Sequence, residues 1–427
     1  MPSIYKHILS FDGDAFRIFL NFKDQPHAFF LDSSLIVSSE QFSYIGFDPL
    51  ETLSSGGLVG LKKNFDKYRL KSKSLLFPAG AVGYLGYDGS IFFGFYDTIL
   101  AVDHHHKKLI ISSFSKVRLK GILKRLAEMG HGDELFLSTK KSIYKGHLDF
   151  KSNFTKLQYM KAVRQALAHI KVGNIYQINL SHQMKLDLPH WRQYAEPADI
   201  YNNLRQSSPS QFGAYFDDGK QVILSASPER FLKLQDGIAQ VKPMKGTRPR
   251  GKTVAQDRQL KEQLLQSPKE IAELLMVTDL ERNDLGRVCD YASINVKSMR
   301  TIEEYSSVFQ ATSTVEGRLR RCRNQFDLLE ATFPSGSVTG CPKIEAMKII
   351  KKLERCSRSL YTGALGYISF TGEMDFNVMI RTMFLKKEEI TFHVGGGIVA
   401  DSKAQEEWQE TLVKAQPMID TLKKSFL

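Results

Sequence analysis

Cysteine is scarce. The chain has four, Cys289, Cys322, Cys341 and Cys356, in 427 residues, and no two form a C-x-x-C pair. Zinc-knuckle and thioredoxin-like motifs are therefore absent, and a disulfide framework is not expected. No uninterrupted apolar run approaches the roughly 18 residues of a membrane span. The N-terminus, MPSIYKHILSFDGDAF, carries charges too early for the apolar core of a signal peptide. Negative charge is in deficit: 59 Lys and Arg face 46 Asp and Glu, a formal net charge of +13. The basic residues are spread from Lys6 to Lys424, with only short runs such as Arg318, Arg320, Arg321 and Arg323, and no nucleic-acid-binding module is present. A basic surface that attracts a small dianionic metabolite fits this balance. The expectation is a cytoplasmic protein with no membrane and no nucleic-acid partner.

With 42% hydrophobic and 25% charged residues, the composition is that of a globular enzyme with a large core. Residues 1–145 read as short strands and turns, with AGAVGYLGYD (79–88) and KKLIISSFSKVRL (107–119) as strand signals and a helix over about 118–130. The polar stretch 140–153 suggests a boundary between this N-terminal part and a region, 150–424, that holds the chemistry. There, 155–172 reads as an amphipathic helix. NIYQINLSHQ (174–183) alternates as a strand, with Tyr176, Ile178 and Leu180 on one face and Gln177, Asn179 and Ser181 on the other. QVILSASPERF (221–231) reads as a strand running into a turn, and FNVMIRTMFL (376–385) as a strand with a hairpin partner at 390–394.

Two helices carry carboxylates. One starts at SPKE, with Ser267 as N-cap, Pro268 at the first helical position and Glu270 as reciprocal cap. Ile271, Leu274 and Leu275 form its expected core stripe, and Glu270 and Glu273 share a face. The other runs from about Lys403, with Trp408, Leu412, Ala415, Ile419 and Leu422 as its stripe. Glu407 and Glu410 lie on an adjacent face, Lys414 one turn on, and Pro417 is expected to kink or end the helix. Carboxylates from two helices suit Mg2+, a hard cation that takes oxygen ligands. Taken singly, Glu270 reads as a cap and Glu407 as a solvated face. In VKPMKGTRPRG (241–251), Gly246 and Thr247 allow main-chain N–H groups to approach an anion, and Lys245 could serve as nucleophile or as a counter-charge. Arg248 and Arg250 add positive charge or pair with acids such as Glu229 or Asp257. Glu229, at a strand end, is a candidate general acid if desolvated. Arg381 could pair with a substrate carboxylate.

The ordered segments SPERF, PMKGTRPRG, KEIAELLMVTDLERNDLGRV (269–288), FPSGSVTGCPK (333–343), YTGALGY (361–367) and GGGIVADS (395–402) resemble those of the chorismate-utilising enzymes over about residues 150–424. That family holds anthranilate, aminodeoxychorismate, isochorismate and salicylate synthases. The resemblance implies an α/β (α+β) fold: two large, mostly antiparallel sheets packed together with helices outside. By position it implies Glu273 and Glu410 as direct Mg2+ ligands and Glu270 and Glu407 as ligands through water. It implies Tyr361, Arg381, Gly395, Gly397 and Lys414 around two substrate carboxylates, Gly246, Thr247 and Ser337 along the ring pocket, and Glu229 as the acid for the departing 4-hydroxyl. FFLDSS (29–34) resembles a tryptophan-binding segment of relatives, which does not establish such binding here.

Two positions bear on the reaction. Isochorismate and salicylate synthases resemble one another in a water-activating Lys where this chain has Gln177. Anthranilate synthases resemble one another in an Ala where this chain has Lys245, as do aminodeoxychorismate synthases of the Lys-dependent type in a Lys. The resemblance therefore implies amination of chorismate at C4, leading toward 4-aminobenzoate and folate, with anthranilate formation as the alternative. Nothing in the chain resembles a glutaminase, so ammonia is expected from a separate glutamine amidotransferase subunit. Cys341 reads as a small packing residue.

Overall fold

A computed structural model describes residues 3–36, 42–70, 77–128, 143–304 and 308–427. Part of the expected helix over 118–130 and the start of the polar stretch 140–153 lie outside these residues.

Two antiparallel sheets pack face to face, one of twelve strands and one of ten among the described residues. Aromatic and aliphatic side chains from both fill the space between them, among them Phe29, Tyr44 and Phe216 from the larger sheet and Val82, Tyr84 and Leu365 from the smaller. Tyr44 meets Tyr367 across the layers edge-on, ring centroids 5.4 Å apart. Helices cover the outer faces: Pro197–Ser207 and the C-terminal helix on the larger sheet, and Gly57–Asp66 and Gln325–Thr332 on the smaller. Strands buried on both faces need no polar alternation, which is why IFFGFY (91–96) and TILAVD (98–103) are apolar runs buried throughout. The expected α+β architecture is the one observed. Strands from both halves of the sequence share each sheet.

The elements that build the site are seven strands and three helices. They are β1 (Gln177–Asp187), β2 (Val222–Ser227), β3 (Arg230–Gln235), β4 (Met244–Pro249), α1 (Pro268–Gly286), α2 (Lys343–Leu353), β5 (Met374–Val378), β6 (Thr382–Leu385), β7 (Glu389–Ile398) and α3 (Ala404–Phe426). The chain changes sheet twice at one place. Between β2 and β3 it passes from the larger sheet to the smaller at Pro228 and Glu229, and between β5 and β6 it returns at residues 379–381. The crossings are bonded together: the Val378 N–H donates to the Glu229 carbonyl at 3.0 Å, the Ser227 hydroxyl to the Val378 carbonyl at 2.6 Å, and the Ala226 N–H to the Arg381 carbonyl at 3.0 Å.

This crossing corrects one expectation. The strand expected over 376–385 is two strands in two sheets, broken where Arg381 adopts φ 49°. The strand expected to run into a turn over 221–231 does so, ending at Ser227 with the turn at Pro228 and Glu229. A second correction concerns Ile271 and Leu275, which are 38% and 54% exposed, leaving Leu274 to make the core contact of that turn. On α3 Ala415 and Leu422 of the expected stripe are buried, but Glu407, Thr411 and Met418 are buried in place of the half-buried Trp408, Leu412 and Ile419, and the helix continues through Pro417. The Tyr176 side chain is 66% exposed because the residue precedes the strand, while both faces of the strand that follows are buried. The helix expected over 155–172 forms over Lys156–Lys171, opened by a capping box of Thr155 and Gln158.

A cavity of about 70 Å³ lies between the sheets, lined by Asp32, Ser33, Tyr44, Gln211, Tyr367 and Asp375 among others. It takes in part of the FFLDSS segment and none of the candidate site residues.

Leu224, wholly buried in β2, belongs to the core between the larger sheet and the helices that cover it. Leu224→Ala is expected to cost about 2–5 kcal/mol through lost burial and the cavity left behind, read as a lower urea midpoint.

Candidate active site

β4 is interrupted at Gly246, where the pairing with the neighbouring strand Val308–Arg318 shifts register between Lys245 and Thr247. Gly246 has φ 76°, and a Cβ there would stand 3.0 Å from the Glu270 carboxyl carbon and 2.8 Å from Leu264. The bulge thus needs glycine for conformation and for space. Lys245, on one side of it, is half-buried and donates from Nζ to the Ser337 carbonyl at 3.1 Å. Burial pushes its amine below the usual lysine range, against the opposing pull of Glu273 and Glu229. Thr247, on the other side, is exposed.

Glu229 at the crossing is 4% exposed, and its Oε1 has no partner. Burial pushes its carboxyl up to about 7, although a hydrogen bond from Ser337, the charge of Lys245 and the Met244 N–H pull the other way. Ser337 is itself buried, its hydroxyl 2.9 Å from that of Ser335.

The triple glycine lies inside β7 rather than after it, paired with β1. A Cβ on Gly396 would stand 3.1 Å from Glu407 Oε2 and 3.5 Å from Glu410 Oε1. One on Gly397 would stand 3.0 Å from Gln177 Nε2 and 3.7 Å from Lys245 Nζ. The glycines therefore form a floor without side chains beneath the two carboxylates, the amide and the amine. The Gly395 carbonyl accepts from Lys414 Nζ at 3.0 Å, and the same ammonium pairs with Glu410 Oε1 at 2.7 Å.

The four glutamates come from α1 and α3 and act on one another. Burial raises the Glu273 carboxyl above its usual value, with Lys245 and Lys269 opposing and Glu270 and Glu410 adding to the rise. Burial likewise raises Glu407, helped by Glu410. For Glu410 burial is outweighed by Lys414, and the net shift is downward. Ser267 caps α1 by accepting from the Glu270 N–H, but the Glu270 carboxylate does not return the bond. It pairs with Arg248 Nη1 at 2.7 Å, leaving Oε2 buried without a partner. Arg250 pairs with Asp257 at 2.7 Å, so neither arginine reaches Glu229. Among the described residues no three His, Cys, Asp or Glu side chains converge closely enough to hold a metal ion. The donor chemistry nonetheless fits a hard divalent cation: oxygens only, from two helices, with one buried carboxylate oxygen unbonded. Glu270 and Glu410 would exchange Arg248 and Lys414 for it.

Tyr361 is buried and stacks on His393, centroids 4.9 Å apart. Arg381 is exposed at the second crossing. Sequence reasoning missed the residues that hold these groups. Arg358 is buried and donates to the carbonyls of Val338 and Asn179, both at 2.8 Å, to the Thr362 hydroxyl and to the Glu354 carboxylate. Glu354 in turn accepts from the Ser181 N–H and hydroxyl. Glu281, also buried, accepts from the Gly336 N–H at 3.0 Å and the Ser335 hydroxyl at 3.2 Å. His393, held neutral by burial with its ring pushed down to about 3, lies two residues before the quoted glycine motif. The signal was there only as isolated charged or aromatic residues beside the motifs.

Gln177 Nε2 and Oε1, Asn179 Oδ1, Glu229 Oε1 and Glu270 Oε2 are all buried without a partner. Unpaired buried polar atoms are few in folded proteins, and several beside one amine mark a place for a polar ligand.

The sequence profile of the chorismate binding enzyme family matches residues 34–420. An anthranilate synthase component I-like protein of Synechocystis is 34% identical over 382 residues, covering 85% of this chain and 76% of that one. Anthranilate synthase component 1 of Aquifex aeolicus is 38% identical over 311 residues, 72% of this chain and 60% of its own length. The crystal structure of anthranilate synthase component I from Streptococcus pneumoniae superposes with TM-score 0.77 and 30% identity, covering 90% of this chain and 93% of that one. The menaquinone-specific isochorismate synthase of Escherichia coli has the same fold, with TM-score 0.78 at 17% identity over 99% of this chain and 95% of its own.

Burial of Glu229 makes a stability prediction independent of any reaction. Its folded value, about 7, lies above the usual glutamate value of 4.5. The folded state therefore binds the proton more tightly, and stability is lost as pH rises from the lower value through the higher. Glu229→Gln, which cannot ionise, should gain roughly 3 kcal/mol over the parent between pH 4 and pH 8. Urea unfolding at both ends of that range would show it, and parallel pH profiles for the two proteins would contradict it.

Proposed function

The chain belongs to the chorismate-binding enzyme family, and from that membership we propose that it is an aminodeoxychorismate synthase of the component I type, adding ammonia at C4 of chorismate. The coarser reading, a chorismate-utilising enzyme of the anthranilate synthase component I type, follows from the family and its relatives. The observation that carries the finer reading is the place of Lys245: a half-buried amine, depressed by desolvation, between Glu229, Gln177 and the glycine floor.

The steps balance as follows. The Glu229 carboxylic acid gives its proton to the 4-hydroxyl oxygen. The neutral Lys245 amine attacks C2, both ring double bonds shift by one position around the ring away from C2, and the C4–O bond breaks to release water. Ammonia then adds at C4, both double bonds shift back and the C2–N bond to Lys245 breaks. One proton is released from the added nitrogen, and the pyruvyl group is retained. Chorismate and ammonia thus give 4-amino-4-deoxychorismate and water. Tyr361, Arg381, Lys414 and the main chain at Gly395 and Gly397 orient the two substrate carboxylates, and Gly246, Thr247 and Ser337 shape the ring pocket. Gln177 has no basic nitrogen and does not activate water for attack at C2. Glu273 and Glu410 would hold Mg2+ directly and Glu270 and Glu407 through water. Such an ion would supply positive charge to a substrate carboxylate. The ammonia comes from a separate glutamine amidotransferase.

A second reading, anthranilate formation, is favoured by the names of the relatives. The product separates the two. Chorismate, Mg2+ and ammonium should yield a product that keeps the pyruvyl group, by mass spectrometry. Release of pyruvate with anthranilate would replace the first reading by the second. Glutamine alone should not support turnover, and EDTA should abolish it.

Lys245 is tested separately. Without ammonia, chorismate should leave an adduct on this lysine. Lys245→Ala and Lys245→Arg should both lose the adduct and roughly a hundredfold or more in kcat, about 2.7 kcal/mol. Arg keeps the charge but is too weak a nucleophile. Near-normal turnover in Lys245→Arg, with no adduct in the parent, would make the lysine electrostatic.

A further inference from the structure

Glu407 and Glu410 reach the glycine floor only if α3 stands at one height and one rotation over β7. A Cβ on Gly396 would already stand 3.1 Å from Glu407 Oε2 and 3.5 Å from Glu410 Oε1. One side chain grips α3 beside both. His182, on β1, is 1% exposed and lies opposite Val394, two residues before Gly396. Its ring stacks on Trp408, centroids 5.1 Å apart at 24°, and its Nε2 lies 2.9 Å from Thr411 Oγ1. Its Nδ1 lies 2.9 Å from Ser152 Oγ, and Ser152 is paired with β1 opposite Met184. Tyr159 closes the ring in edge-on, centroids 5.4 Å apart. Trp408 and Thr411 are three residues apart on one helical face, and each directly follows a glutamate of the site. With 1.5 Å and 100° per residue, holding 408 and 411 holds 407 and 410.

The hydrogen bonds assign the ring's proton. The Thr411 hydroxyl donates its one hydrogen to the Trp408 carbonyl at 2.7 Å, so toward His182 it accepts. Nε2 therefore carries the hydrogen. The ring is neutral, since burial pushes it down to about 4, and Nδ1 is then bare and accepts from the Ser152 hydroxyl. Ser152 Oγ in turn accepts from the Phe154 N–H at 3.1 Å. Both ring nitrogens are taken, so His182 acts on α3 and not on a metal ion.

We propose that His182 is a positioning residue: through Thr411 and Trp408 it fixes α3 over the glycine floor, and so fixes where Glu407 and Glu410 present their oxygens. The inference rests on the reading of those carboxylates as part of the Mg2+ site. The anchor on the far side is a strand ladder, so the helix is held to the sheet by directed bonds as well as by apolar packing. Apolar packing alone leaves a helix free to slide or roll by small steps, whereas a hydrogen bond fails within a few tenths of an ångström.

His182→Phe keeps a ring on Trp408 and loses both hydrogen bonds, while the Thr411 hydroxyl keeps its carbonyl. Thr411→Val removes the acceptor from the helix side at nearly constant volume. His182→Gln offers an amide N–H in place of Nε2, and Thr411→Ser keeps the hydroxyl. Titration calorimetry of the full chain with Mg2+, without chorismate, reads the site apart from turnover. His182→Phe and Thr411→Val should each weaken Mg2+ binding roughly tenfold. The double variant should lose no more than either alone, because one bond is removed in all three. His182→Gln and Thr411→Ser should restore most of the loss. Turnover of the two weakened variants should fall at low Mg2+ and regain the parent's kcat when Mg2+ is raised, a rescue that general loosening of the fold would not give. Nitrogen-15 NMR of the ring should find the hydrogen on Nε2; a hydrogen on Nδ1 overturns the inference. Fully additive losses in the double variant overturn it too. Thr411→Val decides the matter even where His182→Phe does not fold. Should the parent take up no Mg2+ and keep its turnover in EDTA, the metal reading fails and the positioning role with it. Should the parent bind Mg2+ and both variants bind it as tightly, the positioning role alone fails.

Discussion

The guanidinium of Arg358 is the interaction on which the site depends. It is buried, and each of its nitrogens donates: Nε and Nη2 to Glu354, Nη1 to Val338 and Thr362, Nη2 also to Asn179. Those partners belong to three stretches of chain far apart in sequence. Asn179 lies two residues from Gln177, Val338 follows Ser337, and Thr362 follows Tyr361. One planar fork thus sets the spacing of three side chains that line the site, and Glu354 closes the set by accepting from Ser181. Removing one partner of such a buried pair costs about 3–5 kcal/mol, because the other charge is left uncompensated. An apolar core of the same volume could be as stable. It could not fix two main-chain carbonyls and a hydroxyl at hydrogen-bond distance.

The sheet crossing supplies the other half of the frame. Because β2 and β5 leave their sheets at neighbouring points, the residues between strands are held by main-chain bonds to one another rather than by a ladder. Glu229 and Arg381 occupy those short connections. This places an acid and a cation at the seam of two rigid layers, where the backbone is irregular yet over-determined by packing on both sides. The glycine floor has the same logic in reverse: β7 keeps its ladder with β1 but gives up its side chains, so that groups from α3 and β4 approach it closely.

Much of this was legible in the sequence, and the failures have physical causes. The α+β architecture follows from the family resemblance, and the helices at 156–171, 268–286 and 404–426 from capping residues and periodicity. The strand end before Glu229 was legible in its Ser-Pro-Glu turn; the break at Arg381 was not, because residues on both sides are apolar and β-prone and the break is imposed by a change of sheet. The exposure of Ile271 and Leu275 defeated a periodicity argument for a related reason: the face of α1 that carries them is not the one the core covers. Arg358, Glu354 and Glu281 act through partners distant in sequence, which no local pattern reports. The candidate residues Gln177, Glu229, Lys245, Ser337, Gly397, Glu273 and Glu410 do lie around one locus, whereas Glu270 and Lys414 are turned to Arg248 and to Glu410.

Glu229 and Lys245 show why burial rather than any single contact gives this locus its chemical character. In water a carboxyl and an amine side by side exist as an ion pair, and neither is then of use, since the acid has lost its proton and the amine its lone pair. Desolvation penalises both charges together. It raises the acid to about 7 and lowers the amine, each against the attraction of the other. The neutral pair, carboxylic acid with free amine, carries the same total charge and differs only in where one proton sits, so burial favours it without changing the protein's proton count. Gln177 fits this arrangement because its amide adds hydrogen-bonding capacity beside the amine without adding a charge. A lysine there would place a second cation against Lys245 and, by repulsion, drive one of the two further down. An acid there would restore the ion pair. The Gln177 amide, with both ends unpaired, thus keeps polarity beside the amine and withholds charge.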